Sequence, residues 1–112
     1  LSRGEVGARG QFMIGEVLFT QKKFDPAIRA FKRVMYGYGG ERAPDAVKQW
    51  QAVAGYEAGR CAEVQVGNAD NAAARAKLIA DAKSSYSYVI QLHPKHDKVP
   101  QAKQQLDKLS RL

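Results

Sequence analysis

The stretch IGEVLFTQKKFDPAIRAF, Ile14 to Phe31, decides how the chain is read. Leu18 and Phe19, with Phe12 upstream, lie near the apolar face of Ile14 and Gly15 at helical steps, so a helix is expected from about Val6 to Thr20. Gln21-Lys22-Lys23 then carries the chain out polar. Asp25-Pro26 reads as the next start, with the Asp carboxylate accepting from free backbone N–H groups and Pro at the first helical position. Ala27, Ile28, Phe31, Val34 and Met35 repeat at three- and four-residue steps, and Gly37, Gly39 and Gly40 end the run.

The same punctuation continues downstream. A third helix is expected from near Pro44, with Val47, Trp50, Ala54, Ala58 and Cys61 in one stripe and Val53 and Tyr56 broadening it. Gly55 and Gly59 inside it each cost roughly 1 kcal/mol relative to Ala, which suggests close approach of a neighbouring backbone. Gly67-Asn68-Ala69-Asp70-Asn71 reads as a turn, with Asn68 or Asp70 as the next N-cap. Leu78, Ile79, Ala82, Tyr86, Val89 and Ile90 form the stripe of a fourth helix, which His93-Pro94 closes. A fifth starts near Pro100, with Ala102, Leu106 and Leu109 inward. No alternating strand pattern of useful length occurs. The expected fold is therefore all-α, five helices in antiparallel pairs.

Self-similarity is the strongest signal. Ala43-Pro44-Asp45-Ala46 and Val99-Pro100-Gln101-Ala102 are matching helix starts, each preceded by a helix with Ala and, four residues on, an aromatic: Ala27/Phe31 and Ala82/Tyr86. Ile14-Gly15, Leu18, Phe24, Ala27 and Phe31 resemble the spacing of the tetratricopeptide repeat family. Gln11 stands where that family usually has Trp, and Gly39 where it ends in Pro. Ala82, Tyr86 and Pro94 match the second-helix signature again, and Ala54-Gly55 is the best equivalent of Ile14-Gly15. The resemblance implies an α-solenoid domain over 1–112, with a first repeat at 8–41, a second at 42–96 and a capping helix at 97–112. With Gly55 setting the register, fifteen residues are inserted between the signatures of the second repeat. Helical character on both sides of Gly67 makes this an elongated helix pair rather than a loop.

The resemblance also implies a function. Such repeats bind a peptide or partner protein on the concave face formed by the first helix of each pair. The implied lining positions are Arg9, Phe12, Glu16, Phe19 and Thr20, then Gln49, Ala52, Tyr56 and Arg60. Phe12 and Phe19, seven residues apart, share one face, while Ile14 and Leu18 form the stripe expected against the second helix. The wording of the helices resembles bacterial envelope repeats, including periplasmic Tol-Pal-associated proteins, which implies a periplasmic scaffold role.

Other chemistry is poorly served. The net charge of +7 favours acidic partners, but the basic residues are scattered, with Lys22-Lys23 and Lys32-Arg33 the tightest pairs. A basic adaptor for nucleic acid or an anionic surface is the alternative reading, and a self-associating structural repeat is another. Tyr36, Tyr38 and Tyr88 are candidates for exposed rings, which base stacking would need. His93, His96 and Asp97 are metal-ligand types, but their spacing across a turn does not enforce convergence and Lys95 opposes a cation. Cys61, the sole cysteine, reads as a buried core residue. No phosphate loop or oriented nucleophile is legible, so neither catalysis nor a cofactor is expected. No apolar run reaches the ~20 residues of a membrane helix.

Overall fold

The computed structural model describes residues 2–112. Among them are five α-helices and no strand: α1 (Arg3–Thr20), α2 (Phe24–Tyr36), α3 (Asp45–Val66), α4 (Ala72–Leu92) and α5 (Val99–Ser110). A 3-10 turn, Gly40–Arg42, lies between α2 and α3. No helix is long and apolar enough to cross a membrane.

Caps set several boundaries differently from the sequence expectation. Ser2 accepts from the Glu5 N–H at 3.1 Å, so α1 begins at Arg3 rather than near Val6. Asp25 lies inside the first turn of α2, and Lys23 precedes the helix without a side-chain cap. Asn71, not Asn68 or Asp70, caps α4 by accepting from Ala74 N–H at 2.8 Å. The turn after α1 is a paired C-terminal motif, Lys23 N–H to Leu18 O and Lys22 N–H to Phe19 O, both 2.9 Å. Lys22 holds the left-handed position there, at φ 60°, where glycine is usual.

Each helix packs on the next in sequence, and α1 also packs on α3. Short connections make neighbours antiparallel, so α1 and α3 share one layer and α2 and α4 back it. The molecule measures 44 × 28 × 18 Å. With 22 and 21 residues, α3 and α4 outreach the 18 and 13 of α1 and α2. The second pair is thus elongated, and both helices run to the turn at 67–71.

The core joins the inner faces of both layers: Ala27, Phe31 and Val34 of α2, Val47, Ala54, Ala58 and Cys61 of α3, and Ala82, Tyr86 and Val89 of α4. Small residues let the layers close. A Cβ on Gly15 would stand 2.5 Å from the Phe31 ring, and one on Gly59 would stand 2.6 Å from the Tyr86 ring. Large rings fill the space left by absent side chains, so the close approach is of side chain to backbone rather than backbone to backbone.

Two expected stripes are corrected. Ile14 is 51% exposed and does not pack on α2, because Gly15 and Phe31 already fill that contact. Phe12 is instead a core ring, 5% exposed and 5.5 Å from both Phe31 and Trp50.

Polar side chains close the end of α2, whose last carbonyls lack helical partners. Tyr88 donates to Met35 O at 2.8 Å, and Gln51 donates to Gly40 O at 3.0 Å and Gly37 O at 3.4 Å. Tyr88 is therefore buried rather than exposed, while Tyr36 and Tyr38 remain accessible. Since the single Tyr88 proton goes to Met35 O, His93 Nε2, 3.2 Å away, is the donor to the Tyr88 oxygen.

Candidate functional site

The accessible face of the first layer carries two adjoining clefts. One, of about 430 Å³, is lined by Glu16, Phe19, Thr20, Lys22 and Phe24 from α1 and the start of α2, and by Glu57, Arg60 and Val64 from α3. The other, about 170 Å³, lies between α3 and α5, bounded by Tyr56, Arg60, Glu63, Val64, Tyr86 and Gln105. Arg60 and Val64 border both, so the clefts form one groove across α1, α3 and α5.

Aromatic rings and charges alternate along it. Phe19 is half-buried, edge-on to Phe24 at 6.0 Å, with the Arg60 guanidinium 5.4 Å from its centroid. Arg60 also grips Glu57 at 2.8 and 3.0 Å. Burial alone would lower the Arg60 pKa, yet the charge and hydrogen bond of Glu57 hold it above its ordinary value. Tyr56, likewise half-buried, packs 5.7 Å from Tyr86 and carries Lys98 Nζ 5.1 Å above its ring. Tyr86 donates to Glu63 at 2.8 Å, and burial with that bond pushes its phenol pKa upward. Cys61, directly behind the groove, is buried, and its thiol is pushed up to about 12, chiefly by desolvation and then by Glu57. Such a thiol is a poor nucleophile.

Of the positions implied by the sequence, Glu16, Phe19, Thr20, Tyr56 and Arg60 come together in this groove. Arg9 and Gln49 are exposed but border neither cleft, and Phe12 and Ala52 are buried, so neither of the latter two can meet a partner from within the core. Phe12 is covered by Phe31 and Trp50; for Gln49 and Ala52 of α3 the cause is register. Phe31 fills the notch at Gly15, and its counterpart Tyr86 fills the notch at Gly59, whereas Gly55 faces Tyr88 and Val89. Gly59, one turn beyond Gly55, is the true equivalent of Gly15. Moving the lining positions of α3 forward by four residues brings Phe12, Glu16, Phe19 and Thr20 onto Tyr56, Arg60, Glu63 and Val64, the residues that border the groove. The same shift shortens the inserted tip from fifteen residues to eleven. Glu63 and Val64 were legible once the correct glycine was chosen; Glu57 lies outside the implied lining positions, and Lys98, just before α5, and Gln105 of α5 carry no local signal.

A separate cleft of about 350 Å³ lies between the ends of α2 and α4, bordered by Tyr36, Lys48, Gln51, Tyr88 and His93. Its buried polar groups are engaged in holding the α2 terminus, as described above. His96 Nδ1 accepts from Lys98 N–H at 3.0 Å, and His93 Nε2 is engaged with Tyr88. No group of three metal-ligand side chains is gathered among the described residues.

Comparison with protein-family models, with curated proteins and with solved structures finds no match.

Proposed function

We propose that this chain is a protein-interaction module of tetratricopeptide type, which holds a peptide segment of a partner along the α1/α3/α5 groove. The observation that carries the reading is the pair of half-buried rings, Phe19 and Tyr56, set on adjacent first-layer helices with Arg60 between them. Rings that are partly covered and rigidly backed offer apolar anchorage with little ordering cost, which is the character of an interface hot spot. Glu16, Glu57 and Glu63 alternate with Lys22, Arg60 and Lys98, so the groove suits a peptide with apolar anchors and charges of both signs. The mixed signs also weigh against a nucleic-acid track, which needs a continuous basic lining. The ionisable groups serve each other, Arg60 with Glu57 and Tyr86 with Glu63, and this supports binding rather than catalysis.

A displayed peptide library selected on the immobilised protein tests the proposal. Selected peptides should lose affinity about tenfold or more against Phe19→Ala or Tyr56→Ala, the size expected of a hot-spot ring. Circular dichroism should show both variants still helical. Equal binding to the wild type and both variants would refute the groove. Binding that instead collapses with salt and ignores both rings would favour the basic-adaptor reading.

A further inference from the structure

Val6, Met13, Ile14 and Val17 of α1 are each more than half exposed, an apolar face on the outer edge of the first layer. Under the register fixed by Gly15 and Gly59, Gly10, Ile14 and Val17 correspond to Ala54, Ala58 and Cys61 of α3. Those three are buried at 0–1% exposure in a core to which α2 contributes Phe31 and Val34. The face left bare on α1 is thus the face that on α3 is covered by helices. The opposite edge differs: Gln101, Lys103, Gln104, Asp107 and Lys108 give α5 a polar outer surface, as a capping element requires.

We propose that this face of α1 is covered by the same face of a second copy, in an antiparallel, two-fold symmetric helix pair. Val6, Gly10, Met13 and Val17 are spaced by four, three and four residues, the step of a straight helix–helix seam. With the two-fold axis between Gln11 and Phe12, Val6 of one copy meets Val17 of the other, and Met13 meets Gly10. The match is one of size, because exposed Gly10 carries no side chain and so leaves room for Met13 of the other copy. It is also one of charge. Arg9 and Glu16 lie on the same flank of α1, seven residues apart. Antiparallel pairing brings each flank against itself, so Arg9 of one copy falls about 3 Å along the axis from Glu16 of the other, at 1.5 Å per residue. Both are exposed, and neither has an ion-pair partner among the described residues. Like flanks would repel in most basic helices; here the two-fold axis makes two opposite-charge pairs. Four apolar side chains per copy are few beside the ~20–30 residues of a standard interface, so the pair is weak and concentration-dependent.

Sedimentation velocity over a concentration series tests the pairing. The expected result is a monomer that becomes a dimer as concentration rises, with no larger species, because a two-fold contact closes on itself. Arg9→Glu or Glu16→Arg alone should weaken dimerisation by roughly tenfold through two new repulsions, and the double variant should restore it. Register is read separately by mixing Gly10→Cys and Met13→Cys proteins under mild oxidation. The mixture should cross-link faster than either alone, and buried Cys61 adds no background. A protein that stays monomeric up to about millimolar concentration, where even very weak specific pairs form, overturns the proposal and leaves the face for a different helix. So does a dimer indifferent to both charge reversals, or one in which the two cysteine variants cross-link no better together than apart.

Discussion

Gly10 and Gly15 lie on one helix in opposite surroundings, and alanine separates them. In the single chain a Cβ at Gly10 meets nothing, so at concentrations too low for pairing Gly10→Ala should stabilise the fold by about 0.5–1 kcal/mol through helix propensity alone. At Gly15 the new methyl would press on the fully buried Phe31 ring, which cannot move without opening the core. Gly15→Ala should therefore destabilise by about 1–3 kcal/mol despite the same propensity gain, as overpacking does. Urea midpoints of the two variants on opposite sides of the wild type would bear this out. His93 provides a second test at this scale. Burial first, then His96 and Lys48, lower its pKa from the ordinary 6.5, and burial likewise lowers that of His96. In this window the unfolded chain binds more protons than the folded one, so stability rises with pH. The contribution is complete above about 6.5 and fades as pH falls from there toward the folded-state values. Melting temperature should thus climb between about pH 5 and pH 7, and His93→Gln should flatten part of that slope. A slope unchanged in the variant would mean that His93 keeps an ordinary pKa in the folded state.

At the scale of elements, the α3/α4 tip is expected to open first. Its side chains are small, and Ala72, Ala73, Ala76 and Ala80 are exposed where α4 outreaches α5. The Asn71 cap is accordingly a large share of what holds that end. Asn71→Ala removes about 1 kcal/mol of capping. The loss should appear as local opening rather than global unfolding, with amide exchange near 72–76 faster by about fivefold and the melting temperature almost unmoved. A drop of many degrees in melting temperature would show that the tip unfolds with the core. The length of this pair was readable because its helical pattern continues to both sides of Gly67. The register was not, because Gly55 and Gly59 are both helical glycines one turn apart, and sequence spacing does not say which one receives the tyrosine.

Across the whole molecule, contacts run mainly from each helix to the next, so distant changes should act independently. Ala27→Leu in α2 and Ala102→Leu in α5 both overfill sites of zero exposure, each at a cost of about 1–3 kcal/mol. Their effects should sum to within about 0.5 kcal/mol in the double variant, since α2 and α5 are separated by α3 and α4. A larger departure would mean that strain travels along the stack. Equally mild effects from both would mean that neither alanine sits at a close helix crossing. Circular dichroism of the wild type should report about 80% helix.

The sequence by itself determined the class of the fold, because apolar residues at three- and four-residue steps can be buried only by helices and each break carries its own turn chemistry. It also marked Ala27 and Phe31 as a repeated small–aromatic pair of the second helix, and both are fully buried; that the Phe31 ring seats on Gly15 is read only from the structure. It placed Phe19, Tyr56 and Arg60 on the exposed layer. Only the tertiary structure decided that Phe12 belongs to the core and Ile14 to the surface. Both are large and apolar on the same helix, and which one is buried depends on how α1 is rotated against α2 and α3. That rotation is set by ring packing at Gly15, by Trp50, 38 residues beyond Phe12 in the sequence, and by the choice between two glycines in α3. Those are long-range contacts, and no local pattern encodes them.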